Sequence, residues 1–226
     1  MVFFDVGGTL VERVGDETAQ MVALWRDLGL GGSPAEMAEA LAAMGHAYLA
    51  GCYAPRTTAG ELGLWRSLAT AALARTGAGA TAERVGALAL ALTGYARWYR
   101  PVAATGAVLR DLRLAGRRVG IISNWPPSLD AFLSAMGLGP FEVVAGSGTL
   151  GMAKPGLEIF RWALGAAGCV AADATYVGND PACDLAPARA VGMGAILWDP
   201  GRTHSEAGSA RTEAELRAAL GLPTGL

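Results

Sequence analysis

VFFDVGGTL, residues 2–10, decides the reading of the whole chain. An apolar run from Val2 to Phe4 ends at Asp5, and Gly7, Gly8 and Thr9 follow at once, the pattern of a buried strand entering a glycine-bearing loop. In an open α/β sheet such a loop falls at the carboxyl end of its strand, where these sheets place their ligands. The rest of the sheet has to be found further along, and it does not begin until Pro101 has been passed.

From about Asp16 to Arg100 the patterning is helical, in DETAQMVALWRDLGL, SPAEMAEALAAMGHAYLAG, TAGELGLWRSLATAALAR and TAERVGALALALTGYARWYR, with no strand-type alternation. Ser33-Pro34 with Glu36, and Thr81 with Glu83-Arg84, put a hydroxyl residue before an acidic first turn, which predicts helix starts. Gly51, Gly77 and Gly79 read as stops. After Pro101 short apolar runs (RRVGIIS, FEVVAGS, ATYVGND, GAILWDP) alternate with helical ones (VAATGAVLRDLRLAG, PSLDAFLSAMGL, LEIFRWALGAAG, CDLAPARAVG, TEAELRAALG). That rhythm predicts an α/β fold with a doubly wound parallel sheet. A first strand parted from its sheet by helices is what an insertion produces, so the expected division is a core of residues 1–11 and 99–226 and an all-helical insert of 12–98 lying over the first loop.

Composition narrows the function classes. Eighteen basic and 20 acidic residues leave a net charge of -2, with no long-range field to gather nucleic acid or an anionic membrane, so an anionic substrate must be held by local groups. Three cysteines, Cys52, Cys169 and Cys183, are far apart and read as small buried residues of a reducing compartment, and the two histidines, His46 and His204, give no zinc-ligand spacing. The opening lacks a basic signal-peptide region, and no apolar run reaches the ~18 residues of a membrane span, so a cytoplasmic protein is expected.

Asp5 ends an apolar strand, where a partly desolvated carboxylate facing the sheet edge can attack phosphorus or carbon. A strand-terminal Asp is also an ordinary turn residue, so the case rests on its companions: Ser123 in VGIISN, Lys154 in GMAKPGLEIF, and Asp180 and Asp184 in YVGNDPACDLAPARAVGM. A hydroxyl and backbone amides bind an oxyanion, a lysine neutralises the nucleophile and the transferring group, and clustered carboxylates suit a hard cation such as Mg²⁺.

Four separated segments carry a resemblance that spans almost the whole chain. DVGGTL, IISN, AKPGLEIF and VGNDPACDLAPARAVGM resemble, in order, the four motifs of the haloacid dehalogenase superfamily, and the insert is similar to its helical cap of the first type. The resemblance implies an aspartyl-enzyme intermediate on Asp5, with Ser123 binding the transferring group and Lys154 paired to Asp5. It further implies substrate contacts from Gly8, Thr9, Asn124 and Trp125, and a Mg²⁺ region formed by Asp5, Gly7, Asn179, Asp180 and Asp184.

The chain departs from that pattern at two positions. Family phosphatases carry a second Asp two residues after the nucleophile, to protonate the leaving alcohol and activate water; here Gly7 stands there. Loss of such acid–base help costs typically about 10² to 10⁴ in rate, least for good leaving groups. Asn179 takes the place of the acid that usually follows the fourth-motif glycine, and an amide oxygen can coordinate Mg²⁺ but adds no charge. Asn179 and Asp180 also read as a strand-closing turn, Asp184 as a helix-start carboxylate and Ser123 as a helix N-cap. Arg26, beside Trp25, reads either as an anion grip or as a solvated helix face, and Trp65, Trp98, Tyr95, Tyr99 and Trp125 either line a cleft or pack the insert.

The expectation is a Mg²⁺-dependent hydrolase of a small phosphorylated metabolite. The alternatives are a metal-independent 2-haloacid dehalogenase and a weakened, ligand-binding or regulatory member of the same fold.

Overall fold

The structure is a computed structural model describing residues 1–51, 54–205 and 208–223; Cys52 lies outside them. The chain opens with β1 (Val2–Phe4) and β2 (Val11–Arg13), then four helices, α1 (Glu17–Asp27), α2 (Pro34–Gly51), α3 (Thr58–Arg75) and α4 (Ala82–Thr93). A 3₁₀ turn over Tyr95–Trp98 leads into β3 (Tyr99–Pro101). Helices and strands then alternate: α5 (Ala103–Leu114), β4 (Val119–Ser123), α6 (Leu129–Ala135), β5 (Val143–Gly146), α7 (Ser147–Leu150), α8 (Leu157–Ala166), β6 (Thr175–Gly178), α9 (Ala186–Ala190), β7 (Gly194–Leu197) and α10 (Glu213–Ala219).

The main sheet is parallel throughout, in the order β5-β4-β1-β6-β7, so the first strand lies at its centre. Val2 to Phe4 and Val119 to Ser123 are buried without a break, as expected of strands covered by helices on both faces. One face packs Val108, Leu109 and Leu112 of α5, Phe132 of α6 and Leu216 of α10 against Phe4 and Ile121; the other packs Ile159, Phe160 and Ala163 of α8 against Phe3 and Tyr176. Each fully buried large apolar side chain of this kind contributes about 1.5–3 kcal/mol. The parallel, doubly wound class expected from the sequence is the one observed.

The insert has a separate apolar centre, with Trp25, Met44, Trp65, Leu73 and Leu88 among its buried residues. Its helix starts follow the sequence: Ser33 and Glu36 exchange backbone bonds, with Ser33 N donating to Glu36 Oε2 at 2.8 Å, and Thr81 accepts from the Arg84 amide. The segment from Gly94 to Arg100 was expected to continue the last helix, and here the structure differs. After Gly94 the chain makes the short turn and then β3, which pairs antiparallel with β2, Val11 opposite Pro101 and Arg13 opposite Tyr99. The two passages between core and insert run side by side and bond to each other, which a pattern read along one segment at a time does not reveal. No helix among the described residues is long and apolar enough to cross a membrane. Cys169 and Cys183 are free thiols, partly rather than fully buried.

Candidate active site

Three strands of the sheet deliver their ends to one place. Phe4 pairs with Ile121 and with Val177, so Asp5 emerges between the ends of β4 and β6, and its amide donates to Val177 O at 2.9 Å. Ser123, the last residue of β4, donates from Oγ to Asp5 Oδ1 at 2.9 Å. Lys154, from the loop between α7 and α8, reaches the same Oδ1 with Nζ at 2.7 Å. One carboxylate oxygen is therefore pinned twice, and Oδ2 has no hydrogen-bond partner among the described residues.

Lys154 is the only lysine in the chain and is 7% exposed. Its Nζ also meets Asp184 Oδ1 at 2.5 Å and Tyr176 Oη at 3.0 Å. Burial alone pulls this ammonium down, but the flanking Asp5 and Asp184 outweigh it and hold it above the usual lysine value. Asp184 moves up, chiefly through burial and then through the charge of Asp5, with Lys154 opposing. Burial pushes the Tyr176 phenol well up, so it stays protonated.

The fourth-motif residues divide the work differently from the expectation. Asp184, 1% exposed, spends Oδ1 on Lys154 and Tyr176 and Oδ2 on the amides of Asn179 and Asp180, each at 3.0 Å. It anchors the lysine and the strand end and is no open cation ligand. Gly178 makes this fit possible, because a Cβ there would collide with the Asp184 carboxylate. Asp180 caps the π-type turn of Pro181–Leu185, accepting from the amides of Ala182 and Cys183 at 2.8 and 2.9 Å, and these bonds lower its pKa. Its turn reading is the one observed.

Asn179 accepts from Thr9 Oγ1 at 3.2 Å and lies over Gly8, whose absent Cβ would stand 2.6 Å from Nδ2. Gly8 also has φ 76°, a conformation that favours glycine. Thr9 is fully buried and supports the loop, its carbonyl accepting from Thr105 Oγ1 at 2.7 Å.

Asn124 and Trp125 were expected to meet a ligand; the Asn124 amide is engaged by the protein, while the buried Trp125 indole N–H has no hydrogen-bond partner among the described residues. Asn124 is committed at both ends to the backbone of Lys154, donating to its carbonyl at 2.9 Å and accepting from its amide at 2.7 Å. That paired bond holds the lysine loop against β4. Trp125 stacks on Phe132 at 4.5 Å and meets the rings of Tyr95 and Tyr99, forming an aromatic wall between insert and core. Its ring edge is the one neighbour of Gly7, 3.8 Å from where a Cβ would stand, so position 7 has room for a side chain. Arg26 is exposed on α1, the solvated reading. Tyr95, Tyr99, Trp65 and Trp98 border a cavity of about 380 Å³ in the insert.

The sequence reading missed Tyr176 and Glu61. Tyr176 sits in an apolar strand, where nothing in the pattern sets it apart, although a buried phenol needs a polar partner. Glu61 of α3 is 1% exposed and accepts from Tyr95 Oη at 2.6 Å, Ser128 N at 3.0 Å and Ser128 Oγ at 3.1 Å, tying the insert to the segment just beyond Trp125. Nothing in the local pattern pairs positions 67 apart.

Among the described residues no group of three His, Cys, Asp or Glu side chains could hold a metal ion. Of the groups expected to hold a cation, Asp5 keeps Oδ2 without a hydrogen-bond partner, and the amide oxygen of Asn179 accepts from Thr9 Oγ1. Mg²⁺ commonly takes one or two carboxylates and completes its shell with water and substrate phosphate, so this sparse oxygen set fits it weakly.

A Rossmann-like sheet with aspartate, serine and lysine converging at its carboxyl edge defines a doubly wound α/β core with a polar cluster where such sheets bind ligands. The family model for haloacid dehalogenase-like hydrolases matches residues 1–192, and the chain belongs to that family of hydrolases. It is similar to a phosphoserine phosphatase from Thermus thermophilus, 30% identical over 221 residues and 89% of each chain. A second similarity, to haloacid dehalogenase-like hydrolase domain-containing protein 3 of Homo sapiens, is 38% identical over 90 residues, spanning 39% of this chain and 36% of that protein. A solved 2-haloacid dehalogenase from Pseudomonas syringae pv. Tomato shares the fold with a TM-score of 0.68, at 22% identity and 97% coverage of each chain.

Proposed function

We propose that the chain hydrolyses the phosphate monoester of a small metabolite through an aspartyl-phosphate on Asp5. The observation that carries this reading is the asymmetry of the Asp5 carboxylate: Lys154 and Ser123 hold Oδ1, and Oδ2 is left to attack. The likeness to a phosphoserine phosphatase over most of both chains supports phosphorus as the centre attacked.

In the first step Oδ2 forms a bond to phosphorus as the bond to the leaving oxygen breaks. In the second, water attacks phosphorus, the Asp5–phosphorus bond breaks, and inorganic phosphate leaves with the carboxylate restored. The water's proton balances the charge on the departed oxygen. Lys154 and Ser123 stabilise charge on the transferring group, and Asp184 and Asn124 hold Lys154 in place from either side. Mg²⁺ would be held by Asp5, the Gly7 backbone and Asn179, and would supply neutralisation of phosphoryl charge. The helical insert acts as the lid that excludes water and selects the substrate.

With glycine at position 7 no carboxyl protonates the leaving oxygen, so rates depend steeply on how well that oxygen carries negative charge. The test is hydrolysis of 4-nitrophenyl phosphate, with and without Mg²⁺, by wild type, Asp5→Asn and Gly7→Asp. Turnover by wild type and none by Asp5→Asn is expected, with Gly7→Asp accelerating poor leaving groups most, by up to about 10². Full activity in Asp5→Asn overturns the reading. Gly7 favours one rival as well, because attack of Asp5 on carbon with departure of halide needs no acid. Metal-independent halide release from a 2-haloacid, with no phosphate hydrolysis, decides for it.

A further inference from the structure

Tyr176 reaches from β6 past β1 to β4. Its backbone pairs with Phe3 on the central strand, and its hydroxyl donates to the carbonyl of Ile122 at 2.8 Å. The ring is fully buried and set edge-on against Phe160 at 5.3 Å, so neither the ring nor its oxygen has freedom to move. That oxygen lies 3.0 Å from Lys154 Nζ.

An ammonium has three N–H groups, and in a site this dry each one needs an acceptor. Asp5 takes one at 2.7 Å, Asp184 one at 2.5 Å, and the third acceptor is the phenol. The phenol has a single proton, within reach of the Ile122 carbonyl at 2.8 Å and the Asp184 carboxylate at 3.1 Å; whichever accepts it, a lone pair is left for Lys154. We propose that Tyr176 is a positioning residue for the reaction, holding the Lys154 ammonium in a three-point cradle so that it stays on Asp5 Oδ1 and leaves Oδ2 as the attacking oxygen. This rests on Asp5 being the nucleophile. Without the phenol oxygen, Lys154 keeps two acceptors, of which Asp184 is the nearer, and the ammonium shifts towards it. Asp5 Oδ1 then keeps only its bond from Ser123, and the charged contact that sets it apart from Oδ2 is weakened. Substrate binding by Ser123 and the loop amides is untouched, so the effect belongs to kcat and not to KM.

The chain's single lysine makes a direct test practical, because ammonium-selective proton–nitrogen NMR of the full-length protein shows one lysine side chain. In wild type the Lys154 ammonium protons are expected to exchange slowly with water and to give a nuclear Overhauser contact to the Tyr176 ring. Tyr176→Phe removes one oxygen and keeps the ring. It should speed that exchange on the order of tenfold, shift the ammonium resonance, and lower kcat on 4-nitrophenyl phosphate about tenfold with KM unchanged.

Absence of the Overhauser contact in wild type overturns the proposal without any variant, and so holds even if Tyr176→Phe fails to fold. A folded variant with the same exchange rate, resonance and kcat overturns it too. So does a fall in kcat matched by a rise in KM, which marks a general loss of packing. The NMR measurements need no turnover: a cradled ammonium in a protein inert to phosphate esters would sink the phosphatase reading alone.

Discussion

Asp184 in the core and Glu61 in the insert are the most deeply buried carboxylates among the described residues, each 1% exposed, and they are stabilised in different ways. Asp184 shares an ammonium with Asp5, giving a cluster of two carboxylates on one cation. Glu61 is met, among the described residues, by neutral donors: a phenol, a hydroxyl and a backbone amide. The neutral arrangement is saturated and serves to join two parts of the chain. The charged one is short of positive charge by one, and its spare Asp5 oxygen has no hydrogen-bond partner among the described residues. A buried acid surrounded by dipoles is finished structure, whereas a buried acid sharing a counter-charge can still respond to a ligand.

The largest effect in this comparison should come from Lys154→Met. It leaves two facing carboxylates with no cation, so turnover should vanish and urea unfolding should show a loss of about 3–5 kcal/mol. A variant of wild-type stability would mean the core cluster is no more charge-dependent than the insert's. Glu61→Leu comes next. Stranding the Tyr95 hydroxyl and the Ser128 donors should cost about 1–3 kcal/mol and speed amide exchange in α3, while kcat holds. A loss of kcat as deep as that of Lys154→Met would erase the distinction between joint and site.

Gly8→Ala should follow at about 1–2 kcal/mol, since position 8 has φ 76° and its new methyl meets the Asn179 amide. Unfolding curves measure the cost, and weakened Mg²⁺ dependence of turnover would report displacement of Asn179. Smallest is a paired pH effect at two exposed helix starts. Glu215 of α10 and Glu36 of α2 are both lowered from 4.5, chiefly by the backbone amides of Arg211 and Ser33. A depressed acid contributes stability that is present above its ordinary value and lost as pH falls through its folded value. Glu215→Gln and Glu36→Gln should therefore each lose stability near neutral pH and flatten the acid fall below about 4.5. A variant whose acid limb stays as steep as wild type's refutes that assignment for its helix.

How much of this was legible beforehand follows from how local each signal is. Strands buried on both faces announce themselves as unbroken apolar runs, so the sheet could be read directly, and Asp5, Ser123 and Lys154 stand at ends of such runs or in the loops beside them. Asn124 was read for its neighbour Ser123, but its two-headed amide matches the backbone of a residue 30 positions away, a geometry that only the folded loop creates. Asp180 and Asp184 look alike on the page; their surroundings make one a turn cap and the other a lysine anchor. Tyr176 was hidden because aromatic residues are ordinary in strands, and β2 and β3 because three-residue strands have too few positions to show alternation.

That short stem also bears on how such an insert can be acquired and exchanged. The core meets the insert's backbone through two strands in fixed register, Val11 opposite Pro101, whatever lies beyond Arg13 and Tyr99. The entropy of closing a loop grows only with the logarithm of its length, each doubling costing about 0.6 kcal/mol. A foreign helical bundle of half or twice the length, grafted onto the same pair of strands, thus faces nearly the same closure term at the seam. The stem is a socket, and the chemistry at the sheet edge can be kept while what is plugged into it changes.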